Sequence, residues 1–180
     1  MQTFSRMDQG TVEEWTHVFK EHQPYYNEMP NRIKTMLGQL KDIKVGFLVD
    51  QLEHCLQTAT RAERAGASEE MVLASLCHDI GKLISIPNHP AIAAEILRPY
   101  VSDEAYWVIK THQDFQGKHY YQLLGKNPAA REQYRDHPGF NLGVQFADDW
   151  DQASFDPDYD TLPLEHFEPL IDKFFTNPKM

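Results

Sequence analysis

A histidine followed directly by an aspartate, at positions 78 and 79, is the feature of this sequence that points most clearly to chemistry. The pair closes an apolar helical stretch and is followed by Gly81. Other histidines and a cluster of acids lie elsewhere along the chain, at His54, His89, His112, Asp148, Asp149 and Asp151. Imidazoles and carboxylates gathered from several helices are typical ligands of divalent transition metals. The set therefore indicates a metal site inside a helical domain.

The pair itself suggests a site for two ions. Adjacent residues of a helix point about 100° apart, so His78 and Asp79 cannot aim along one line but can straddle a gap between two metals. An aspartate there could bridge both ions through its two oxygens. In this scheme the first ion is completed by His54, His78 and Asp151, and the second by His89 and His112.

Alternatives exist for two of these positions. A single histidine is more typical of the surface or of a hydrogen-bonded core, so the hypothesis depends on the whole set. His119 lies seven residues after His112 and could share its helical face. Asp148 and Asp149 compete with Asp151, and a run of acids at a helix end is usually solvated.

Composition limits the function further. The 180 residues carry a net charge of −10 and are 41% hydrophobic, which is typical of a globular domain and argues against nucleic-acid binding. No apolar run approaches the roughly 18 residues of a membrane span, and Met1–Arg6 lack a signal-peptide core. We therefore expect a cytoplasmic protein with no membrane partner, in which Cys55 and Cys77 are buried and reduced.

Apolar residues recur every three to four positions, which predicts an all-α fold of about nine helices. Ser68, Asn88 and Ser102 are the expected N-caps of three of them. The best strand candidate, residues 44–49, is short. The helices are predicted over residues 11–22, 30–40, 50–65, 68–81, 88–97, 102–112, 128–135, 140–150 and 164–175.

The length and the absence of repeats predict one domain spanning residues 1–180. Its core is expected within residues 50–176. The helices of residues 1–45 would form an N-terminal segment that could cover a pocket, with Tyr25 and Tyr26 as candidate substrate contacts.

The ordered histidines and aspartates resemble the HD-domain metalloprotein superfamily, in which two middle histidines mark the two-metal members. The strings Gln51–Gln57 and Trp150–Asp151 are similar to the HD-type phosphonate oxygenases, and the second favours Asp151 over Asp148. The strings His78–Lys82 and His112–Gln116, with His119, are similar to myo-inositol oxygenase.

This resemblance implies a compact multi-helix bundle with a two-metal site in its core. It implies two iron ions, Fe(II) and Fe(III), and O₂-dependent cleavage of a C–C or C–P bond in a small hydroxylated or anionic substrate. Lys82 matches a substrate-contacting lysine, so it is the predicted catalytic and substrate-binding residue, with Lys118 and His119 as further substrate contacts. No residue is assigned to an organic cofactor.

Other basic residues and other functions remain open. Lys126, Arg131 and Arg135 could extend Lys118 and His119 into a cationic lid, or form an ordinary solvated face. The alternative function is a phosphohydrolase that uses Mn, Mg or Zn on a nucleotide or small phosphate ester. A non-catalytic helical binding domain is the third. Lys44 and Phe47 stand where the phosphonate oxygenases carry a tyrosine and a glutamate.

Overall fold

Eight α-helices, linked by short 3₁₀ segments and one π-helical segment, account for most of the chain. The computed structural model describes residues 4–176 and 178–179, and that part of the chain contains no strand. The prediction of an all-α fold is therefore confirmed, and residues 44–49 form an irregular loop. The helices are α1 Val12–Asn27, α2 Met29–Gln39, α3 Gln51–Arg64, α4 Glu69–Cys77, α5 His89–Leu97, α6 Asp103–Tyr120, α7 Phe140–Gln145 and α8 Leu164–Phe175.

Two of the three predicted N-caps form. The Ser68 hydroxyl accepts a hydrogen bond from the Met71 N–H at the start of α4, and Ser102 accepts one from Ala105 at the start of α6. Each such cap is worth about 1 kcal/mol because it satisfies a free helix donor. The third prediction is wrong, since the side chain of Asn88 makes no capping hydrogen bond at the start of α5.

Several predicted helices differ from the observed ones. Helix α1 continues to Asn27, beyond the predicted end at His22, and α4 ends at Cys77 rather than at Gly81. Helix α6 does not end near His112 but continues to Tyr120, because Phe115 remains buried in its last turns. Residues 128–135 do not form an α-helix. They contain only the 3₁₀ segment Ala130–Tyr134, which buries no residue and so lacks the packing that stabilises most helices.

A π-helical segment, Phe146–Asp151, follows directly on α7. The N–H of Gln152 donates to the carbonyl of Ala147, five residues earlier. Such segments are frequent at functional sites. The buried residues of this one are Phe146, Ala147, Trp150 and Asp151. The wider turn thus places an aspartate in the core beside a tryptophan.

The hydrophobic core draws buried residues from α2 to α8 and from the π-helical segment. Helix α4 is buried from Met71 to Cys77, as its apolar sequence requires. Leu73 and Leu76 have no exposed surface, and burying each contributes about 1.5–3 kcal/mol. Cys55 and Cys77 are both buried and free, as predicted. These packed helices are the rigid elements that carry the predicted ligands.

The N-terminal region packs less closely. Helix α1 buries none of its residues, and Trp15 instead contacts Phe4 and Phe19 in a small aromatic cluster. The prediction that Met1–Arg6 lack a signal-peptide core falls partly on Met1–Thr3, which lie outside the described residues. Among the described helices, none has the length and apolar character needed to cross a bilayer.

Candidate metal centre

Four helical elements and one helix end bring six predicted ligands together. His54 lies in α3, His112 in α6, and His89 is the first residue of α5. His78 directly follows α4, and Asp79 comes next. All of them are buried, as is Asp151 at the end of the π-helical segment. Residues that are 97 positions apart in sequence thus meet in one interior site.

Gly81 allows the start of α5 to approach the histidine–aspartate pair. A Cβ atom at this position would lie 2.3 Å from the carbonyl oxygen of His89 and 2.9 Å from its Cα. Both contacts are shorter than real Cβ atoms tolerate. The glycine after the pair is therefore the residue that lets the backbone of His89 lie against residues 80–83, the 3₁₀ segment that follows Asp79.

The two carboxylate oxygens of Asp79 face different histidines. Its Oδ2 lies 3.4 Å from Nε2 of His54 and 3.4 Å from Nε2 of His78. Its Oδ1 lies 3.1 Å from Nε2 of His89 and 3.8 Å from Nε2 of His112. The carboxylate therefore stands between two pairs of imidazoles, as a bridging ligand would.

Asp151 belongs to the first pair. Its Oδ1 lies 3.2 Å from Nε2 of His54 and 3.7 Å from Nε2 of His78. These three residues have ligand atoms within 4.8 Å of one another, and so do His78, Asp79 and His112. Because Nε2 of His78 can bind only one ion and lies 3.1 Å from Nε2 of His54, we group it with His54 and Asp151.

The outer nitrogen of every one of these four imidazoles contacts a backbone carbonyl. The Nδ1–O distances are 2.9 Å for His54 and Ser154, 2.7 Å for His78 and Ser75, 2.7 Å for His89 and Ile86, and 2.6 Å for His112 and Ile109. A carbonyl only accepts, so each Nδ1 carries a proton and donates it. Each ring therefore turns its Nε2 to the interior, which is the arrangement typical of metal-binding histidines.

Within each pair, the Nε2 atoms face each other rather than a hydrogen-bond donor. Nε2 of His89 faces Nε2 of His112 at 3.2 Å, and the first pair faces each other in the same way. Oδ1 of Asp79 and Oδ1 of Asp151 are buried without any hydrogen-bond donor. Buried acceptors that face one another are costly unless a cation stands between them. The donor set therefore fits metal ions.

The charges of the site follow from the same contacts. Burial raises the pKa of the Asp151 carboxyl, but His54 and His78 outweigh burial and lower it to about 2. Burial likewise opposes the ionised form of Asp79, yet His78 and Lys82 hold its pKa well below the usual range. Burial lowers the pKa of His112 to about 3. At neutral pH the site thus contains two carboxylates and a neutral His112.

The imidazole of His54 has a raised pKa in the absence of metal. Burial disfavours the charged form of His54, but hydrogen bonding to Asp151 and Asp79 raises its pKa to about 9. A proton on Nε2 of His54 would then occupy part of the place of a cation. Metal binding must displace that proton.

A cavity of about 450 Å³ opens beside the ligands His54 and His89. One of its walls is aromatic. The ring of Phe155 stacks on His54 at 4.2 Å between centroids, and Phe47 stacks on Phe155 at 3.9 Å. The other lining residues are Lys82, Gln113, Gln116, His119, Tyr120 and Gln152. An apolar wall thus faces a set of amides and cations next to the candidate metals.

Sequence reasoning missed several of these residues. Gln116 donates a hydrogen bond to Oδ2 of Asp151, and Gln51 accepts one from Lys82 at 2.6 Å. Gln116 lies four residues after His112, so a search for polar side chains one helical turn from each ligand would have found it. Phe155 lies in a loop, where no helical spacing relates it to a ligand.

The predicted substrate-binding residues lie in two places. Lys82 lines the cavity, with its ammonium 2.5 Å from Oδ2 of Asp79. His119 also lines the cavity and bonds Asp148 at 3.0 Å. Lys118 pairs with Asp148 at 2.8 Å and lies outside the residues found to line the cavity. Their roles as substrate contacts remain predictions.

The alternative ligands Asp148 and Asp149 and the candidate substrate contacts Tyr25 and Tyr26 lie away from the candidate ligands. Asp148 additionally pairs with Arg131 at 2.9 Å, so Lys118, His119 and Arg131 occupy this carboxylate away from the candidate ligands. Asp149, Tyr25 and Tyr26 are exposed. Phe47 reaches the cavity, whereas no described residue before it does. A covering role for residues 1–45 therefore remains a prediction.

Over the described residues, the fold and the site define an all-helical protein with a buried cluster of histidines and aspartates that could hold divalent cations. The sequence matches the HD domain family over residues 52–155, a range that includes all six candidate ligands. The chain belongs to the HD domain family, whose members bind divalent metals and are generally metal-dependent phosphohydrolases or related enzymes. A search of curated proteins found no match.

Proposed function

We propose that this HD-domain protein is a di-iron, O₂-dependent oxygenase that cleaves a C–C or C–P bond in a small hydroxylated or anionic substrate. The observation that carries the proposal is the division of four imidazoles into two pairs around the carboxylate of Asp79. Two ions, each with positions left for other ligands, fit this arrangement. One domain would supply the whole site, and the partners would be the substrate and O₂.

The donor set favours iron among the candidate metals. Mg²⁺ prefers oxygen ligands, whereas this site offers four imidazole nitrogens and two carboxylates. Iron accepts both ligand types and, when bound, supplies the electron transfer that O₂ chemistry needs. The proposed ligands are His54, His78, Asp79 and Asp151 for one ion and Asp79, His89 and His112 for the other.

Residues around the ligands would prepare the site for this reaction. The stacked rings of Phe47 and Phe155 shield His54 from water on the cavity side. Lys82 holds Oδ2 of Asp79 and would attract an anionic or hydroxylated group to the same edge of the cavity. Burial raises the pKa of Tyr120, so its phenol keeps its proton and can donate a hydrogen bond to substrate.

A metal analysis tests the proposal directly. The protein is purified from iron-supplemented cells, its metals are counted, and the partly oxidised form is examined by electron paramagnetic resonance. We expect about two iron ions per chain and a mixed-valence signal, together with O₂ uptake in the presence of a substrate from a panel of phosphonates and polyols. The variant His166→Gln, which changes an exposed side chain of α8, is the control that should retain both ions.

A phosphohydrolase is the second candidate, because phosphohydrolases are frequent in the family that the chain matches. The same ligands would then hold Mn or Zn and generate hydroxide from bound water. Lys82 would neutralise a phosphate oxygen. Stoichiometric Mn or Zn, hydrolysis of phosphate esters and no O₂ uptake would replace the oxygenase proposal with this one.

A further inference from the structure

The large apolar side chains that are exposed fall into two groups over the described residues. One group lies in the N-terminal region and comprises Met7, Val12, Phe19, Tyr25 and Tyr26. The other lies in three connecting segments, before α3, before α5 and after α6. Apart from Phe47, its members are Val45, Leu48, Ile84, Ile86, Leu123 and Leu124, which we call the apolar collar.

Each part of the apolar collar adjoins a residue that lines the cavity beside the candidate metals. Leu48 follows Phe47, and Ile84 follows Lys82 by two residues. The carbonyl of Ile86 accepts the hydrogen bond of His89. Leu123 and Leu124 lie in the 3₁₀ segment Tyr121–Leu124, which directly follows Tyr120 at the end of α6. Each of the three regions that carry the collar therefore also supplies a residue that lines the cavity.

Exposed apolar side chains on segments that also line a cavity are typical of a surface that binds something. Leu48 is 73% exposed and Ile84 is 67% exposed, although both could have been polar without loss of packing. Phe47 links the exposed apolar group to the cavity, because it is itself exposed, directly precedes Leu48 and stacks on Phe155 in the aromatic wall over His54. A molecule in the cavity could therefore extend past Phe47 toward the collar.

We propose that the substrate is an amphiphile, with a polar or anionic head beside the metals and a hydrocarbon chain that leaves along the aromatic wall onto the apolar collar. This inference names the substrate class of the proposed active site and therefore rests on the proposed function. The head faces Lys82 and the amides of Gln113 and Gln116, and the chain passes Phe47 and Phe155. Cavities of this size enclose only part of a long molecule, which leaves the collar for the remainder.

The test measures binding and needs no turnover. The metal-loaded protein is titrated with methyl-, butyl- and octylphosphonate under anaerobic conditions by calorimetry. Each methylene that becomes buried should tighten binding about fourfold, equivalent to about 0.8 kcal/mol. We expect octylphosphonate to bind at least tenfold more tightly than butylphosphonate, since its outer carbons reach the collar.

Two variants locate the effect. The double substitution Leu48→Ser and Ile84→Ser should reduce the difference between the octyl and butyl probes to less than threefold and leave the affinity for methylphosphonate unchanged. The matched control is Val12→Ser, on α1, where the valine is 86% exposed and distant in sequence from the cavity residues. It should retain the full chain-length dependence.

Equal affinity for all three probes, or no measurable binding of octylphosphonate, would overturn the inference. A second outcome would also overturn the inference: the protein sediments with phosphatidylcholine vesicles, while its affinity for the three phosphonates does not depend on their chain length. That result would assign the collar to a membrane surface. The proposed function fails separately, through the metal count and the mixed-valence signal. If the protein holds two iron ions but binds all three phosphonates equally, the proposed oxygenase function stands and only the amphiphilic substrate is rejected.

Discussion

The stability of the metal-stripped protein should pass through a maximum near pH 6.5, because two buried histidines titrate in opposite directions. Contacts with Asp151 and Asp79 raise the pKa of His54 from 6.5 to about 9 despite its burial. Burial lowers the pKa of His112 from 6.5 to about 3. One group therefore stabilises the fold when it is charged, and the other when it is neutral.

The sign of each effect follows from proton linkage. The contribution of His54 is fully present below its unfolded pKa of 6.5 and is lost as the pH rises toward 9. The contribution of His112 is present above 6.5 and is lost as the pH falls toward 3. A shift of one pKa unit corresponds to 1.36 kcal/mol, so His54 contributes on the order of 3 kcal/mol. About 2 kcal/mol of this should disappear between pH 6.5 and 8.5.

Urea unfolding at a series of pH values checks this prediction. The chelator-treated protein is compared with the metal-loaded protein, in which ligation keeps His54 neutral at every pH of the series. We expect the free energy of unfolding to fall above pH 6.5 only in the stripped protein. His54→Gln should remove that fall, whereas His166→Gln, whose imidazole pairs with exposed Glu63, should retain it.

A rise or a plateau in the stability of the stripped protein between pH 6.5 and 8.5 would refute the reasoning. It would mean that no proton stands between His54 and the two carboxylates. The series ends at 8.5 because burial raises the pKa of the thiols of Cys55 and Cys77, and these thiols are already partly ionised in the unfolded chain at that pH. The comparison with His54→Gln separates their contribution from that of the histidine.

Three substitutions test the geometry of the centre. Gly81→Ala should lose at least one metal ion per chain and several kcal/mol of stability, because its Cβ would meet the backbone of His89. The control Gly38→Ala, which has open space around it, should be neutral or stabilising by up to about 1 kcal/mol. Metal counts and thermal unfolding distinguish the two variants. Asp79→Ala should lose both ions, and full metal content in this variant would exclude a bridging carboxylate. Lys82→Ala should retain the ions and lose turnover, and unchanged substrate affinity would remove this lysine from the substrate site.

Much of the fold was predictable because the apolar periodicity of the chain is local information. The bounds of α8 were predicted to the residue, and α3 to within one residue. The extension of α6 to Tyr120 was not, because its last turns carry polar residues and are held by the burial of Phe115 against other elements. Packing of that kind depends on the tertiary structure.

The candidate site was predictable for a different reason. Ligands are few in kind, so histidines and aspartates stand out even when their helices are far apart in sequence. The choice of Asp151 over Asp148 was less secure, since only the π-helical turn decides which acid points inward. The aromatic wall was missed because Phe47 and Phe155 lie in loops, where no periodicity relates them to His54.

The carbonyl partners of the histidines imply an order of assembly. His78, His89 and His112 each donate to the carbonyl three residues upstream, so their rings are oriented as soon as that local turn exists. His54 instead donates to Ser154, one hundred residues later. During synthesis, His78, His89 and His112 can therefore be oriented early, whereas His54 is oriented only after the far end of the domain has emerged.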